Sequence, residues 1–184
     1  MSLSEILTDR LILRPIDSSD VAMIQGAANQ RDIADTMISI PFPFTQQAAQ
    51  KYVRFRVAQM RRGRGMALTL LHAASQACYG MVEVRDIDSE HHQAELSFWL
   101  ARIARGQGYM AEALPVMLDY AFRDCGLNRV YAYHMVRNPA SGRVLANLGF
   151  QQEGILRQQV RKWDIYEDVV IQALLRRDWL AYRE

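Results

Sequence analysis

Arg105-Gly106-Gln107-Gly108-Tyr109-Met110 is the stretch on which the reading of the fold turns. A strand-like run, Ala94 to Ala101, ends just before it. An amphipathic helix starts at its end, from about Gly108 to Asp124, with Met110, Ala113, Leu114, Met117, Leu118, Ala121 and Phe122 on one face. Two glycines let the backbone turn tightly and approach a ligand with no Cβ in the way. The helix behind them offers unpaired N–H groups and the positive end of its dipole. Together these make an anion cradle suited to a pyrophosphate. A glycine pair alone also describes a strand-to-helix connection that binds nothing. No Gly-Lys-Ser/Thr follows, which argues against a nucleotide triphosphatase loop. The third glycine of a dinucleotide fingerprint is missing, and the segment lies mid-chain rather than on a first βαβ unit.

Working outward, Leu11 to Ile16 reads as a strand that stops at Pro15, Asp17 and Ser18. Asp17 or Ser18 caps a helix carrying Val21, Met23, Ile24 and Ala27. After the breaker-rich Ile40-Pro41-Phe42-Pro43-Phe44, Thr45 is the N-cap of a longer helix towards Arg62, ended by Gly63 and Gly65. Strand-like runs follow at Met66 to Leu71, Tyr79 to Ile87 and Ala94 to Ala101. Beyond the glycine turn come a strand at Val130 to Val136, a short helix from Asn138, and strands near Phe150 to Leu156 and Asp168 to Leu175. Pro115 inside the amphipathic helix predicts a bend. The order predicts one α/β (α+β) domain over residues 1–184. Its mixed sheet of about seven strands carries helices on both faces.

The 184 residues suffice for one sizeable core, and half of them are apolar. Lys and Arg (22) exceed Asp and Glu (20) by only two, so bulk charge points to no direct nucleic-acid partner. Cys78 and Cys125 are too few for a disulfide framework and form no metal motif. Met1-Ser2-Leu3-Ser4-Glu5 lacks the basic-then-apolar pattern of a leader. No window holds the roughly 18 unbroken apolar residues of a membrane span. A cytoplasmic protein without a membrane partner is expected.

With these segments in view, the chain resembles the GNAT superfamily of acetyltransferases, and within it the ribosomal-protein N-terminal acetyltransferase branch. The family's pyrophosphate motif, Gln/Arg-x-x-Gly-x-Gly/Ala, is matched by Arg105 to Met110, with Met at the last position as the branch tolerates. Thr8 to Pro15, Glu95-Leu96-Ser97-Phe98-Trp99-Leu100, Asn138-Pro139-Ala140-Ser141, Leu148-Gly149-Phe150, Glu153-Gly154, Asp168-Val169-Val170 and Asp178-Trp179 agree in order. The resemblance implies the GNAT fold, with a mostly antiparallel twisted sheet, and acetyl-CoA as co-substrate without a metal. It implies that the backbone of Phe98, Trp99 and Leu100 pairs with the pantetheine arm. The amides of Arg105, Gly106, Gln107, Gly108, Tyr109 and Met110 then hold the pyrophosphate, while Asn138 and Ser141 lie beside the sulfur.

Acetyl transfer needs a neutral amine, a polarised thioester carbonyl and a route for thiolate release. A protein α-amine has a reference pKa near about 8, so a modest base suffices. Glu95 is the candidate base, directly or through a water, because the family often places one on this strand. An ordinary ion-paired glutamate is the competing reading. A strand amide near Phe98 or Trp99 is the oxyanion donor. Many superfamily members carry a tyrosine four residues before the Gly-Phe pair, and here that position is Leu145. Ser141 is the substitute at the thiolate, set against a plain polar residue in a helix's first turn. The favoured acceptor is a protein N-terminus, acetylated by direct attack in a ternary complex. A small amine (amino acid, polyamine or aminoglycoside) comes second. From another class, Leu145 hints at an acyl-CoA-binding module without catalysis. A homodimer stays open beside a monomer.

Other residues read more plainly. Arg54, Arg56, Arg61, Arg62 and Arg64 form a solvated basic face, weighed against a contact for an acidic protein, ribosomal RNA or the CoA 3′-phosphate. His91-His92 is a polar turn rather than a zinc site. His134 is a packed histidine, Trp99, Trp163 and Trp179 fill core or cleft walls, and Glu83 is a weak candidate for lining an amine site.

Overall fold

The computed structural model describes residues 4–183. Met1 to Leu3, part of the segment read for a leader, lie outside the described residues. From the N-terminal side come β1 (Ile6–Leu7), β2 (Leu11–Pro15), a 3-10 turn at Ser18–Asp20, α1 (Val21–Ala28), α2 (Arg31–Thr36) and α3 (Gln46–Arg61). A three-strand meander follows: β3 (Gly65–His72), β4 (Cys78–Asp88) and β5 (Gln93–Leu100). After a 3-10 turn at Arg102–Ala104, the chain forms α4 (Tyr109–Asp119), extended by a π turn at Tyr120–Asp124, then β6 (Arg129–Met135) and α5 (Pro139–Ala146). β7 (Gln151–Lys162), β8 (Ile165–Leu175) and α6 (Arg176–Arg183) complete it.

The strands make one sheet in the order β1-β2-β3-β4-β5-β6-β8-β7. Its strands alternate because successive side chains point to opposite faces. On one face Leu11, Leu13, Leu68, Leu70, Val82, Val84, Ala94 and Leu96 pack against Met110, Ala113, Leu114 and Met117 of α4 and Leu145 of α5. On the other, Ala67, Met81 and Trp99 meet Ile24, Ile33, Ala49 and Val53 from α1, α2 and α3. Of the expected helix starts, Thr45 caps α3, whereas Asp17 caps the 3-10 turn ahead of α1, which has no side-chain cap of its own. Asp17 accepts the Ser19 N–H at 2.6 Å, and Thr45 accepts the Ala48 N–H at 3.2 Å.

All strand pairs are antiparallel except β5 and β6. That parallel pairing is short: Gln93 with Arg129, Ala94 with Val130, Glu95 with Tyr131. Beyond Glu95 the two strands part, and a wedge opens between their C-terminal ends. The next segments of both strands, the glycine turn and α5, stand at the mouth of that wedge.

The sheet has eight strands rather than seven, because β1 is only two residues long and too short to alternate. α2, with six residues, is likewise below the length at which a helical period can be read. β7 and β8 run further than expected. Gln158 at φ 51° and a register shift between Leu156 and Val160 break the alternation there. At Pro115 the α-helix continues; its irregularity comes later, where Cys125 N–H bonds Tyr120 C=O at 2.9 Å in the π turn.

Candidate active site

The glycine turn lies open at the N-terminus of α4. Gly106 (φ 72°) and Gly108 (φ 82°) adopt the left-handed conformation that a Cβ disfavours. The N–H groups of Gly106, Gln107, Gly108, Tyr109 and Met110 find no acceptor among the described residues. Five unengaged amides at a helix N-terminus suit a pyrophosphate. Arg105 departs from the expectation. Its N–H already bonds Arg102 C=O at 3.2 Å, and its side chain bonds Leu100 C=O at 3.1 Å and Asp32 at 2.6 Å. Arg105 therefore braces the turn against α2, and the free amides begin one residue later.

A second brace comes from the turn between β1 and β2. Arg10 donates to Gln107 C=O at 2.8 Å and to Glu112 at 2.8 Å, while its own N–H also reaches Glu112. Thr8 bonds the same carboxylate. Burial works against the Glu112 charge, yet the hydrogen bonds from Thr8 and Arg10 outweigh it and hold this carboxyl below its ordinary value. The Arg10 guanidinium lies 4.4 Å over the Tyr109 ring, which is buried in the core and meets the rings of His72 and Tyr79 edge-on.

Along β5 the backbone groups divide between two neighbours. Ala101 N–H bonds Tyr79 C=O on β4, so by antiparallel alternation Trp99 and Glu95 also bond β4. Phe98 and Leu100 direct theirs into the wedge, where β6 has already departed. Leu100 C=O is taken by Arg105, which leaves its N–H. Trp99 has its ring in the core with Nε1–H donating to Tyr52 Oη at 3.2 Å, so the strand expectation narrows to Phe98 and the Leu100 amide.

Glu95 stands where the strands part, opposite Arg85 on β4 and Tyr131 on β6. Arg85 Nη2 donates to its carboxylate. Burial raises the Glu95 pKa, and Arg85 pulls it back only in part. Two strand residues before Arg85 on the same face, Glu83 is buried and held by Arg56, whose Nη2 lies 2.8 Å from Oε1. Arg56 thus leaves the expected solvated face. Its guanidinium sits 3.3 Å over the Tyr52 ring and is 6% exposed. Tyr131 and Tyr133 line the β6 side, and burial followed by the Glu95 charge raises the pKa of each phenol.

From the other side comes α5. Asn138 precedes it but makes no side-chain cap. Instead its Nδ2–H donates to Ser141 Oγ at 3.0 Å, which leaves the serine hydroxyl hydrogen free for another acceptor. α5 sits tightly on β6, since a Cβ on Gly142 would lie 2.8 Å from His134 Nε2. His134 Nδ1 lies 3.0 Å from Met135 C=O, and the ring is packed against Gly142. Leu145 is 1% exposed in the core and brings no hydroxyl to the wedge.

The remaining residues fall elsewhere. His91 pairs with Asp88 in its turn, and the described residues hold no metal-binding group of three or more His, Cys, Asp or Glu. No helix of the described residues is long and apolar enough to cross a membrane. Cys78 and Cys125 are free thiols. Trp179 fills the core, whereas Trp163 is at the β7–β8 tip, 39% exposed, with Nε1–H on Asp35 at 2.7 Å. Arg85, Tyr131 and Asp32 escaped the sequence reading. Arg85 was two residues from Glu83 and so on its face of β4, the one signal that could have found it.

Against known proteins, the model for the acetyltransferase (GNAT) domain matches residues 10–151. The ribosomal-protein-serine acetyltransferase of Escherichia coli is 28% identical over 132 residues, 72% of this chain and 73% of that one. The spermidine N(1)-acetyltransferase of Vibrio cholerae is 24% identical over 97% of this chain and all of that one. The crystal structure of ribosomal-protein-S5-alanine acetyltransferase from Vibrio fischeri superposes with a TM-score of 0.84, at 22% identity, over 96% and 99% of the two chains. The open amides, the parted strands and the matched domain agree, and this chain belongs to the GNAT acetyltransferase family.

Proposed function

We propose that this protein transfers an acetyl group from acetyl-CoA to the free α-amine of a protein N-terminus, as one domain spanning the chain and in the cytoplasm. The observation that carries this is the wedge beyond Glu95, opening beside five unengaged amides at the start of α4. Acetyl-CoA supplies the activated acetyl thioester. Gly106 to Met110 hold its pyrophosphate, and the Phe98 and Leu100 backbone orients its arm along the free edge of β5. Phe98 N–H is the donor placed for the thioester oxygen. Glu95 takes the proton of the amine, a modest demand because an α-amine is partly neutral at pH 7. Ser141 O–H faces the departing sulfur.

Two predictions attach to these roles. Ser141→Ala is expected to lower kcat roughly tenfold, a single hydrogen bond's worth, without weakening acetyl-CoA binding. Steady-state rates with a binding titration check it; an unchanged kcat removes Ser141 from the reaction. Glu112→Gln is expected to weaken acetyl-CoA binding by roughly three- to tenfold, because one charge-assisted brace of the turn is replaced by a neutral one. Calorimetry on the purified variant reads this directly.

The spermidine-acetylating relative favours a second reading, in which the acceptor is a small amine. An equimolar mixture of an Ala- or Ser-initiated peptide, its α-blocked lysine-bearing counterpart and spermidine separates the two. Mass spectrometry is expected to find acetyl on the free α-amine at more than ten times the level on the others. Preferential acetylation of spermidine would replace the peptide reading. A protein that binds acetyl-CoA and acetylates none of the three would be the non-catalytic module.

A further inference from the structure

The face of the sheet that carries Glu95 holds two arginine–glutamate pairs, and they differ in exposure and in how many donors are engaged. Arg56 is enclosed: Nη1 donates to Tyr52 C=O at 3.3 Å, Nη2 to Glu83, Nε lies 2.8 Å from the same carboxylate without a hydrogen bond, and the guanidinium rests on an aromatic ring. Arg85 is not. Of its five N–H donors, one is engaged, by Glu95, and its Nε is buried with no partner among the described residues. The side chain is 31% exposed and lines a cavity of about 90 Å³ together with Ser39, Met66 and Glu83. Arg61, Arg62 and Arg64 stand exposed nearby, at the end of α3 and in the turn that leads to Gly65, the residue paired with Arg85 across β3 and β4. None of these three makes an ion pair among the described residues. Against them stands the Asp86 carboxylate, exposed at the bulge beside Arg85.

From this we infer that Arg85 is a specificity-determining residue, selecting acceptors that carry a carboxylate at the second or third residue from the reacting amine. The inference rests on the peptide reading given above. When Glu95 accepts the amine's proton it loses its charge, and Arg85 is left without a counter-ion in a half-buried place. An acceptor carboxylate meets the unused guanidinium donors and restores the balance, with the planar fork suited to two-point contact. A polycation finds the reverse: the buried Glu83 and the partly buried Glu95 are already held by arginines, and its further charges would face Arg85 and the arginine rim. The same face therefore disfavours spermidine.

The test compares kcat/KM for Ala-Glu- and Ala-Gln-initiated peptides, identical otherwise, in the wild type, Arg85→Gln and Arg85→Lys. Removing Arg85 also alters Glu95, but that affects both peptides alike and cancels in their ratio. The wild type is expected to prefer the acidic peptide by roughly tenfold or more, with the preference abolished in Arg85→Gln and partly kept in Arg85→Lys. Spermidine acetylation relative to the neutral peptide is expected to rise in Arg85→Gln. An equal preference in wild type and Arg85→Gln overturns the role of Arg85 while leaving peptide acetylation standing. A wild type that acetylates neither peptide overturns the reading beneath it.

Discussion

A protein carrying Gly106→Val and Gly108→Val together is expected to bind acetyl-CoA at least ~100-fold more weakly than the wild type while keeping its fold. Both positions hold φ above +70°, where a β-branched residue costs roughly 1–2 kcal/mol each. No atom lies within 4 Å of a Cβ built on Gly106, and Arg10 Nη2 at 3.6 Å is the nearest to one on Gly108. The added side chains therefore do not collide with the core. They act by bending the turn away from its present path and by covering the amides that face outward. The strain falls on an exposed segment, so a thermal melt is expected to shift by a few degrees at most. Calorimetric titration with acetyl-CoA reads the affinity, and a loss below threefold would mean that the turn is only a connection.

Glu95→Gln is the second large effect. A positioned base contributes roughly 10²-fold or more, so kcat is expected to fall by about that factor with the acetyl-CoA affinity kept. The pH profile is the sharper reading. Burial raises the Glu95 pKa above 4.5 despite Arg85, and the base works only when deprotonated. Below the amine's own titration, the wild-type kcat/KM is therefore expected to show a second proton-linked fall placed above the ordinary glutamate range, and in Glu95→Gln that second fall disappears while the amine's own limb stays. The sign for stability follows from the same shift. The folded protein binds this proton more tightly than the unfolded chain, so the contribution is present below the ordinary pKa and is lost as pH rises through the raised one. A Gln variant with the wild-type rate and profile would return Glu95 to the status of an ion-paired strand residue.

What the sequence disclosed and what it hid divide along contact distance. The glycine turn, the Thr45 cap and the strands around them are local features, written in neighbouring residues. The wedge is not local: it depends on Glu95 meeting Tyr131, 36 positions away, and on β6 leaving immediately afterwards. Arg56 shows the same limit. Helical spacing places it among other arginines, yet Glu83 draws it under the sheet, because a buried carboxylate needs its partner. Asn138 carries the residue type of a helix cap, but its amide reaches Ser141 rather than the backbone, a choice that residue identity leaves open. Arg105 was legible as part of the turn, whereas its engagement with Asp32 required α2, a helix too short to be read.

The most direct test of the central claim is free-thiol release when the wild-type protein is mixed with acetyl-CoA and a peptide bearing a free α-amine. The account predicts thiol appearing well above the protein-free blank, matched one for one by acetyl groups on the α-nitrogen. Thiol release no faster than the blank, with every α-amine recovered unmodified, would contradict it.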